Sequence, residues 1–325
     1  MLNAFFPLLT TLLSPGGGRG RLTIVMYHRV LERPDPLLPH IPGVEVFDRH
    51  MATLANGFNV LPLSEAIERL VKRSLPPRAA CITFDDGYCD NLTVAAPVMR
   101  RYRLPATIFV ATGYLDGGRM WNDSVIEAVR RASGVSINAE NLGLGAHPIA
   151  TDSERCQAIH MLIDQLKYLP FAERIARVDQ LCELIGAQLP TDLMLSSAEV
   201  IAARRANIEI GAHTVNHPIL TRIDDRQARN EMAESKAHLE AILKEKILLF
   251  AYPNGRPDRD YATRHAQMVK EIGFKMAVST ASGVASPTSD LFQLPRYAPW
   301  DKLRSRLQLH LLQNIWRPAP NPAYS

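Results

Sequence analysis

The stretch that most constrains this chain is residues 80–88, ACITFDDGY, an apolar run that ends in two adjacent carboxylates and a glycine. The run is short, partly β-branched and bounded by a turn residue, which predicts a buried strand. Open and barrel α/β folds place their chemistry at the C-terminal ends of such strands. Asp85 and Asp86 repel each other there, and burying both is costly unless something positive sits between them. Taken alone, the pair fits a turn with solvated acids equally well.

Residues 207–218, NIEIGAHTVNHP, form a second strand-like run, ending in two histidines four apart. Neutral imidazole is the commonest ligand for zinc and similar metals. On a helical turn this spacing puts both rings on one side. Two histidines and one carboxylate make a catalytic zinc set that leaves a position open for water.

The rest of the chain alternates strands with helices. Strands are predicted at 22–28 (LTIVMYH), 106–112, 247–253 and 274–280, with 293–299 as the last strand or its exit loop. Helices are predicted at 47–56, 64–73, 91–102 (with Pro97 disturbing it), 224–246, 261–272 and 303–315, and residues 196–199 open another with a capping box. This rhythm favours a parallel sheet. Residues 115–195 break it: helical periodicity at 122–132, 153–169 and 171–185, and no strand, predict a helical insertion from a strand-end loop, where substrate clefts are often shaped. Trp121 opens the insertion, as a core residue or as a platform for a ligand.

Residues 1–13 are apolar, lack a basic n-region and an Ala-x-Ala site, and are too short to span a bilayer. With the Gly-rich hinge up to residue 21 they read as a short helix that lies in a membrane interface, docks on the protein's own surface, or frays. One catalytic domain, 22–316, follows, and then a Pro-rich tail, 317–325, expected to be disordered. The absence of a convincing signal peptide points to a cytoplasmic or inner-membrane-associated protein. A net charge of +4 on 325 residues gives no nucleic-acid signature. Cys81, Cys89, Cys156 and Cys182 have no CxxC spacing, which argues against a cysteine zinc site.

TFDDGY and HTVNHP resemble the first two motifs of the polysaccharide deacetylases, carbohydrate esterase family 4, over roughly residues 22 to 300. The resemblance implies an α/β fold, a distorted (β/α) barrel with the helical insertion, and metal-dependent N-deacetylation of an N-acetyl sugar. It implies Asp86, His213 and His217 as ligands of a divalent metal, Zn2+ in the first place with Ni2+ or Co2+ left open. Asp85 would be the general base, and the Thr214 hydroxyl would orient the loop. The family's third motif, Arg-x-Pro-Tyr/Phe-Gly, corresponds to residues 251–255, AYPNG, where Ala251 stands for the arginine that pairs with the base. Arg296 is the candidate replacement, set against an ordinary surface arginine. Pro253 and Gly255 fit a turn that aims the Asn254 backbone N–H at an oxyanion. Tyr252, Trp121 and Tyr88 are expected to line the sugar site.

The family's last motif is a strand ending in a histidine that serves as general acid. His310 lies in a helix-like pattern and reads as structural, whereas LTIVMYH supplies a better copy, so His28 takes the role if the motif order is circularly permuted. Asn216 has no assigned role and is expected to face solvent. His40, His50, His147, His160, His238 and His265 are read as surface or capping residues. The expected substrate is an N-acetylhexosamine polymer of an exopolysaccharide or cell envelope, or a lipid-linked oligosaccharide, with membrane-surface contact through 1–13. The alternatives are a catalytically inactive glycan-binding protein, permitted by Ala251, a metal hydrolase acting on another amide or an ester, and a peripheral membrane scaffold.

Overall fold

A computed structural model describes residues 2–317. Its centre is a curled, mostly parallel sheet of seven strands. In chain order, α1 (Leu2–Leu13) leads to β1 (Leu22–Tyr27), α2 (Val44–Gly57), β2 (Asn59–Val60), α3 (Leu63–Val71), β3 (Ala79–Phe84), α4 (Ala96–Tyr102) and β4 (Thr107–Val110). An insertion follows, comprising α5 (Trp121–Arg131), β5 (Ser136–Ala139), β6 (Gly145–Pro148), α6 (Asp152–Lys167) and α7 (Phe171–Ile185). The alternation then resumes with α8 (Ser197–Arg205), β7 (Glu209–Ala212), α9 (Asp225–Leu243), β8 (Leu249–Ala251), α10 (Thr263–Ile272), β9 (Met276–Val278) and α11 (Arg304–Trp316).

The strand order is β1-β3-β4-β7-β8-β9, and β2 pairs with β3 beside β4. β1 and β3 are buried at every position, as expected of strands covered on both faces. Residues 293–299, expected as the last strand or its exit loop, form no regular strand. They make isolated parallel bridges on either side, Leu294 with Val278 of β9 and Tyr297 with Val25 of β1. A single extended segment thus spans the gap between the outer strands and curls the sheet toward a barrel. Pro295 and Pro299 remove ladder donors, which accounts for the broken pairing.

Two further elements differ from the sequence reading. The insertion contains an antiparallel pair, β5 with β6, in addition to its helices. Only Ile137 and Ala139 of β5 face inward, too short an alternation to register as a strand signal. The expected helix over 91–102 begins with a wide π turn at Asn91–Ala95, and Pro97 sits in the first turn of α4, where its missing N–H costs nothing. The insertion has its own core, in which Val125, Leu162 and Leu181 are fully buried. The residue 317–325 tail lies outside the described residues except for Arg317.

Helix α1 docks on the protein itself. Phe6 is buried, edge-on to Phe58 at 6.1 Å between ring centroids, and Thr10 Oγ1 donates to the Gly57 carbonyl at 2.8 Å. A Cβ on Gly57 would fall 2.2 Å from Phe6 Cε1, so this close approach requires glycine. Phe6→Ala is expected to lower unfolding stability by about 3 kcal/mol, read from the urea midpoint, because the ring leaves a cavity against α2.

Candidate active site

The chemistry-bearing residues all follow the C-terminal ends of strands. His28 comes after β1, Asp85 and Asp86 after β3, His213 after β7, Asn254 after β8, and Arg296 lies in the segment that bridges β9 and β1. Parallel strands deliver these ends to one rim of the sheet, the reason distant motifs meet there.

At the end of β3 the backbone turns sharply. Asp86 has φ 75° and Gly87 φ 86°, both left-handed. Asp86 adopts this conformation at a steric cost that glycine does not bear. Its carbonyl accepts from Ala111 N–H at 3.1 Å, which holds the turn against β4. The two carboxylates consequently face different partners. Asp85 is engaged bidentately by Arg296, Nη1 to Oδ1 at 2.7 Å and Nη2 to Oδ2 at 2.6 Å. Arg296 is itself buried and donates through Nε to the Ser279 carbonyl (2.8 Å) and through Nη1 to Thr83 Oγ1 (3.2 Å). It is no surface arginine. Burial pushes the Asp85 carboxyl up, but the Arg296 charge, with His213 behind it, outweighs that and holds it below the ordinary carboxylate range.

Asp86 meets the two histidines. The Nε2 atoms of His213 and His217 each lie 3.4 Å from Asp86 Oδ1, too long for good hydrogen bonds, and that buried oxygen has no hydrogen-bond partner. One donor atom from each of the three side chains lies within 4.8 Å of the others. His213 Nδ1 is 2.7 Å from the Ala251 carbonyl. A carbonyl only accepts, so Nδ1 carries a proton, and Nε2 is the ring nitrogen that faces Asp86. An outer-shell carbonyl that fixes the tautomer in this way is typical of metal-ligating histidine. Burial, only partly offset by Asp86, pulls His217 down to about 3, which keeps it neutral. Burial pulls His213 down too, but the Asp86 and Asp85 carboxylates outweigh it and hold that imidazole above its ordinary value. An orphaned carboxylate oxygen and two imidazole nitrogens converging on one point fit a divalent cation, which would take the place of a proton on His213, and the all-N/O donor set suits zinc, nickel or cobalt.

The histidines are not carried on a helical turn. Thr214 has φ 64° and His217 φ 52°, and the loop is held by side chains. Thr214 Oγ1 accepts from His217 N–H at 3.1 Å. Glu231 on α9 accepts from Val215 N–H, Asn216 N–H and Asn216 Nδ2, at 2.7–2.8 Å. Asn216 is therefore anchored rather than simply solvent-facing. The Glu231 contribution is invisible in the sequence because it comes from the next helix.

A cleft of about 270 Å³ opens onto Asp86 and His217, walled by His28, Trp121, Asn254 and the insertion residues Lys167 and Arg174. Asn254 has φ 56°. Its carbonyl accepts from Thr280 Oγ1 at 2.8 Å, while nothing among the described residues accepts from its N–H. Two expected sugar-site residues are not in the wall. Tyr252 is fully buried, stacked on Tyr261 at 3.8 Å, and donates to the Phe292 carbonyl. Tyr88 is buried beneath the cleft under the Arg29 guanidinium, its hydroxyl beside Met120 Sδ at 3.7 Å. Tyr252 directly follows β8 and continues its inward alternation with Phe250, and Tyr88 is turned inward after the left-handed turn at Asp86 and Gly87.

Sequence reasoning also missed Lys167, Arg174 and Asp123. Asp123 is buried near Tyr88 and Arg29, and burial pushes its carboxyl up to about 7. None of the three lies near a motif. Of the unassigned histidines, His40, His160 and His238 are exposed, but His50, His147 and His265 are buried. His50 bridges Tyr27 and the Asp301 carbonyl, His147 bonds the Leu144 carbonyl, and His265 accepts from Ala262 N–H as a helix cap. His310 pairs with Asp301 on α11, away from the cleft.

A sequence-family model described as Polysaccharide deacetylase matches residues 72–151 and 177–277, more than half of the chain. A protein of Bacillus subtilis (strain 168), named as a polysaccharide deacetylase, is 24% identical over 278 residues, covering 85% of this chain and 70% of its own. The fold is similar to that of the Streptococcus pyogenes deacetylase PplD, solved in complex with acetate (TM-score 0.61, 21% identity, 92% of this chain and 100% of that one). It is similar also to IcaB from Ammonifex degensii (TM-score 0.58, 18% identity, 91% and 98%).

The Asp85–Arg296 pair has a pH signature. Asp85 is depressed in the folded protein, so its stabilisation is present above the unfolded value near 3.9 and lost as pH falls through the folded value. In Arg296→Met the carboxyl is left buried and unpaired, its folded value rises, and stability instead falls as pH climbs above about 4. The difference between wild type and Arg296→Met is expected to be small only once pH falls through the folded value of Asp85, well below 4, and to grow with pH to about 3–5 kcal/mol at pH 7, measured by urea unfolding across that range. A pH-independent difference would show that the pair carries no buried charge.

Proposed function

This chain belongs to the polysaccharide deacetylase family and is a hydrolase of that kind, and we propose that it removes the acetyl group from N-acetylhexosamine residues of a bacterial exopolysaccharide or cell-envelope glycan. The observation that carries the reading is the convergence of three donor atoms: His213 Nδ1 is committed to the Ala251 carbonyl, which leaves its Nε2 to meet Asp86 Oδ1 and His217 Nε2 at one point.

Asp86, His213 and His217 would hold a divalent cation, which when bound supplies Lewis acidity and an acidified water. Asp85 takes the proton from the attacking water as its oxygen bonds to the acetyl carbon. Arg296 orients Asp85 and keeps it ionised, the work done in the family by the arginine that Ala251 replaces. The unpaired Asn254 N–H receives the developing oxyanion. His28, in the cleft wall, protonates the amine as the C–N bond breaks, releasing acetate and a free amino sugar. Trp121 presents an apolar wall to the sugar ring.

The same proposal includes a membrane-surface location, on the cytoplasmic side or at the inner membrane. Helix α1 buries Phe6 but leaves Phe5, Leu8 and Leu12 exposed on one stripe, and α11, packed beside it, exposes Leu309 and Trp316. No helix among the described residues is long and apolar enough to cross a bilayer. Such a stripe suits the interfacial plane.

Two outcomes are expected. Protein loaded with one divalent ion per chain releases acetate from N-acetylglucosamine oligomers; Asp85→Asn lowers kcat at least about 100-fold, and His217→Ala loses the ion by elemental analysis. Acetate release unaffected by Asp85→Asn would remove the base assignment. Separately, the full chain floats with anionic liposomes and the double variant Leu8→Glu/Leu12→Glu does not, while its acetate release on soluble oligomers is retained; equal flotation would place the contact elsewhere.

A further inference from the structure

Arg174 is a buried cation without a counter-ion. It is 5% exposed, and among the described residues no carboxylate lies within 4 Å of its guanidinium. The other strongly buried arginines are neutralised, Arg29 by Asp90 at 2.7 Å and Arg296 by Asp85. Arg174 instead lies over the faces of Trp121 (5.0 Å) and Phe171 (5.5 Å), donates once, from Nη1 to the Lys167 carbonyl at 3.0 Å, and leaves a buried Nε with no partner. Two aromatic faces offset only part of the cost of burying a charge.

The surroundings are of one sign. Arg174 and Lys167 line both the cleft over Asp86 and an adjoining cavity of about 200 Å³ that runs toward Arg222. Lys167, Arg222 and Arg259 all crowd the Tyr168 ring, at 5.9, 5.7 and 5.5 Å. None of these cations is in an ion pair, and Asp86, committed to the histidines, is the sole carboxylate lining either cavity among the described residues. Arg174 is buried and Lys167 half-buried, while Arg222 and Arg259 are exposed at the rim. A groove with an unneutralised buried guanidinium at its wall is completed by an anion that arrives with the ligand.

We propose that the substrate is an anionic N-acetylated glycan, bearing a phosphate or carboxylate close to the acetamido group, and that Arg174 and Lys167 bind that group. The inference rests on the deacetylase reading for the identity of the glycan, but recognition of the anion does not depend on turnover. Planar guanidinium held between two rings is pre-organised for a forked contact with an oxyanion, and Lys167 supplies a second, mobile donor.

The test compares three N-acetylglucosamine oligomers of one length: neutral, phosphate-bearing and uronate-bearing. In low salt, metal-loaded wild-type protein is expected to show kcat/KM at least ten-fold higher on one or both anionic oligomers than on the neutral one, with the two anionic arms identifying which group is read. Arg174→Gln should abolish the preference, and Lys167→Gln, a half-exposed site that tolerates change, should reduce it about three-fold. Arg174→Lys should restore part of it. Binding of the same oligomers to Asp85→Asn protein, followed by calorimetry, should show the same order without catalysis. Equal kcat/KM on all three, or equal losses on neutral and anionic oligomers in both glutamine variants, overturns the inference and leaves deacetylation standing. Arg174-dependent binding of the anionic oligomers without acetate release from any of the three upholds it and removes the deacetylase reading. Should Arg174→Gln fail to fold, Lys167→Gln and Arg174→Lys decide the matter.

Discussion

The buried pair between Asp85 and Arg296 is the interaction on which the site depends. Two acidic residues in sequence at a strand end cannot both be buried as free anions. Arg296 resolves this by taking both oxygens of Asp85, and Asp86 is left to the histidines. The pair also spans the sheet: Asp85 follows β3, while Arg296 belongs to the segment that bridges β9 to β1. The curl of the sheet is therefore what allows neutralisation, and the neutralisation in turn fixes the segment that completes the curl. Breaking a buried pair of this type costs more than its net formation gains, because one charge is stranded.

Left-handed backbone recurs around the site. Asp86, Thr214, His217 and Asn254 all have positive φ, and none is glycine. Each such residue costs about a kcal/mol or more, so the neighbouring contacts must over-determine the turn. They do so through Thr214 with the His217 N–H, Glu231 with three donors of the 215–216 loop, and Thr280 with Asn254. The arginine missing at Ala251 illustrates the same economy of position. What buried Asp85 needs is a guanidinium at its back, and the curled sheet brings residue 296 to that place while the Ala251 carbonyl serves His213 instead.

The insertion gives the cleft its roof and its charge. The sheet supplies Asp86, His28 and Asn254 to the cleft. Lys167 and Arg174 come from α6 and α7, which pack on their own core of Val125, Leu162 and Leu181. Separating the reactive rim from the recognition roof lets one vary without disturbing the other, the usual division of labour between scaffold and loop.

Local order was legible in the sequence. The apolar runs at 80–84 and 208–212, the acids and histidines that end them, and helices α7 and α10 follow from composition and spacing, because burial on both faces and capping leave marks within a few residues. Residues 293–299 lost their strand to Pro295 and Pro299, and β5 was too short to show an alternation. Tyr252 and Tyr88 carry rings that would suit a sugar, yet a strand or turn aims them into the core, a matter of a single pleat. Arg174 and Glu231 bear no motif at all. Sequence by itself determined the strand ends and the donor types of Asp85, Asp86, His213 and His217, since each is set by chain-local chemistry. Only the tertiary structure decided which arginine meets Asp85, which way the His213 proton points, and that Arg174 is buried with no acid beside it, because pairing, tautomer and desolvation are properties of neighbours brought together by the fold.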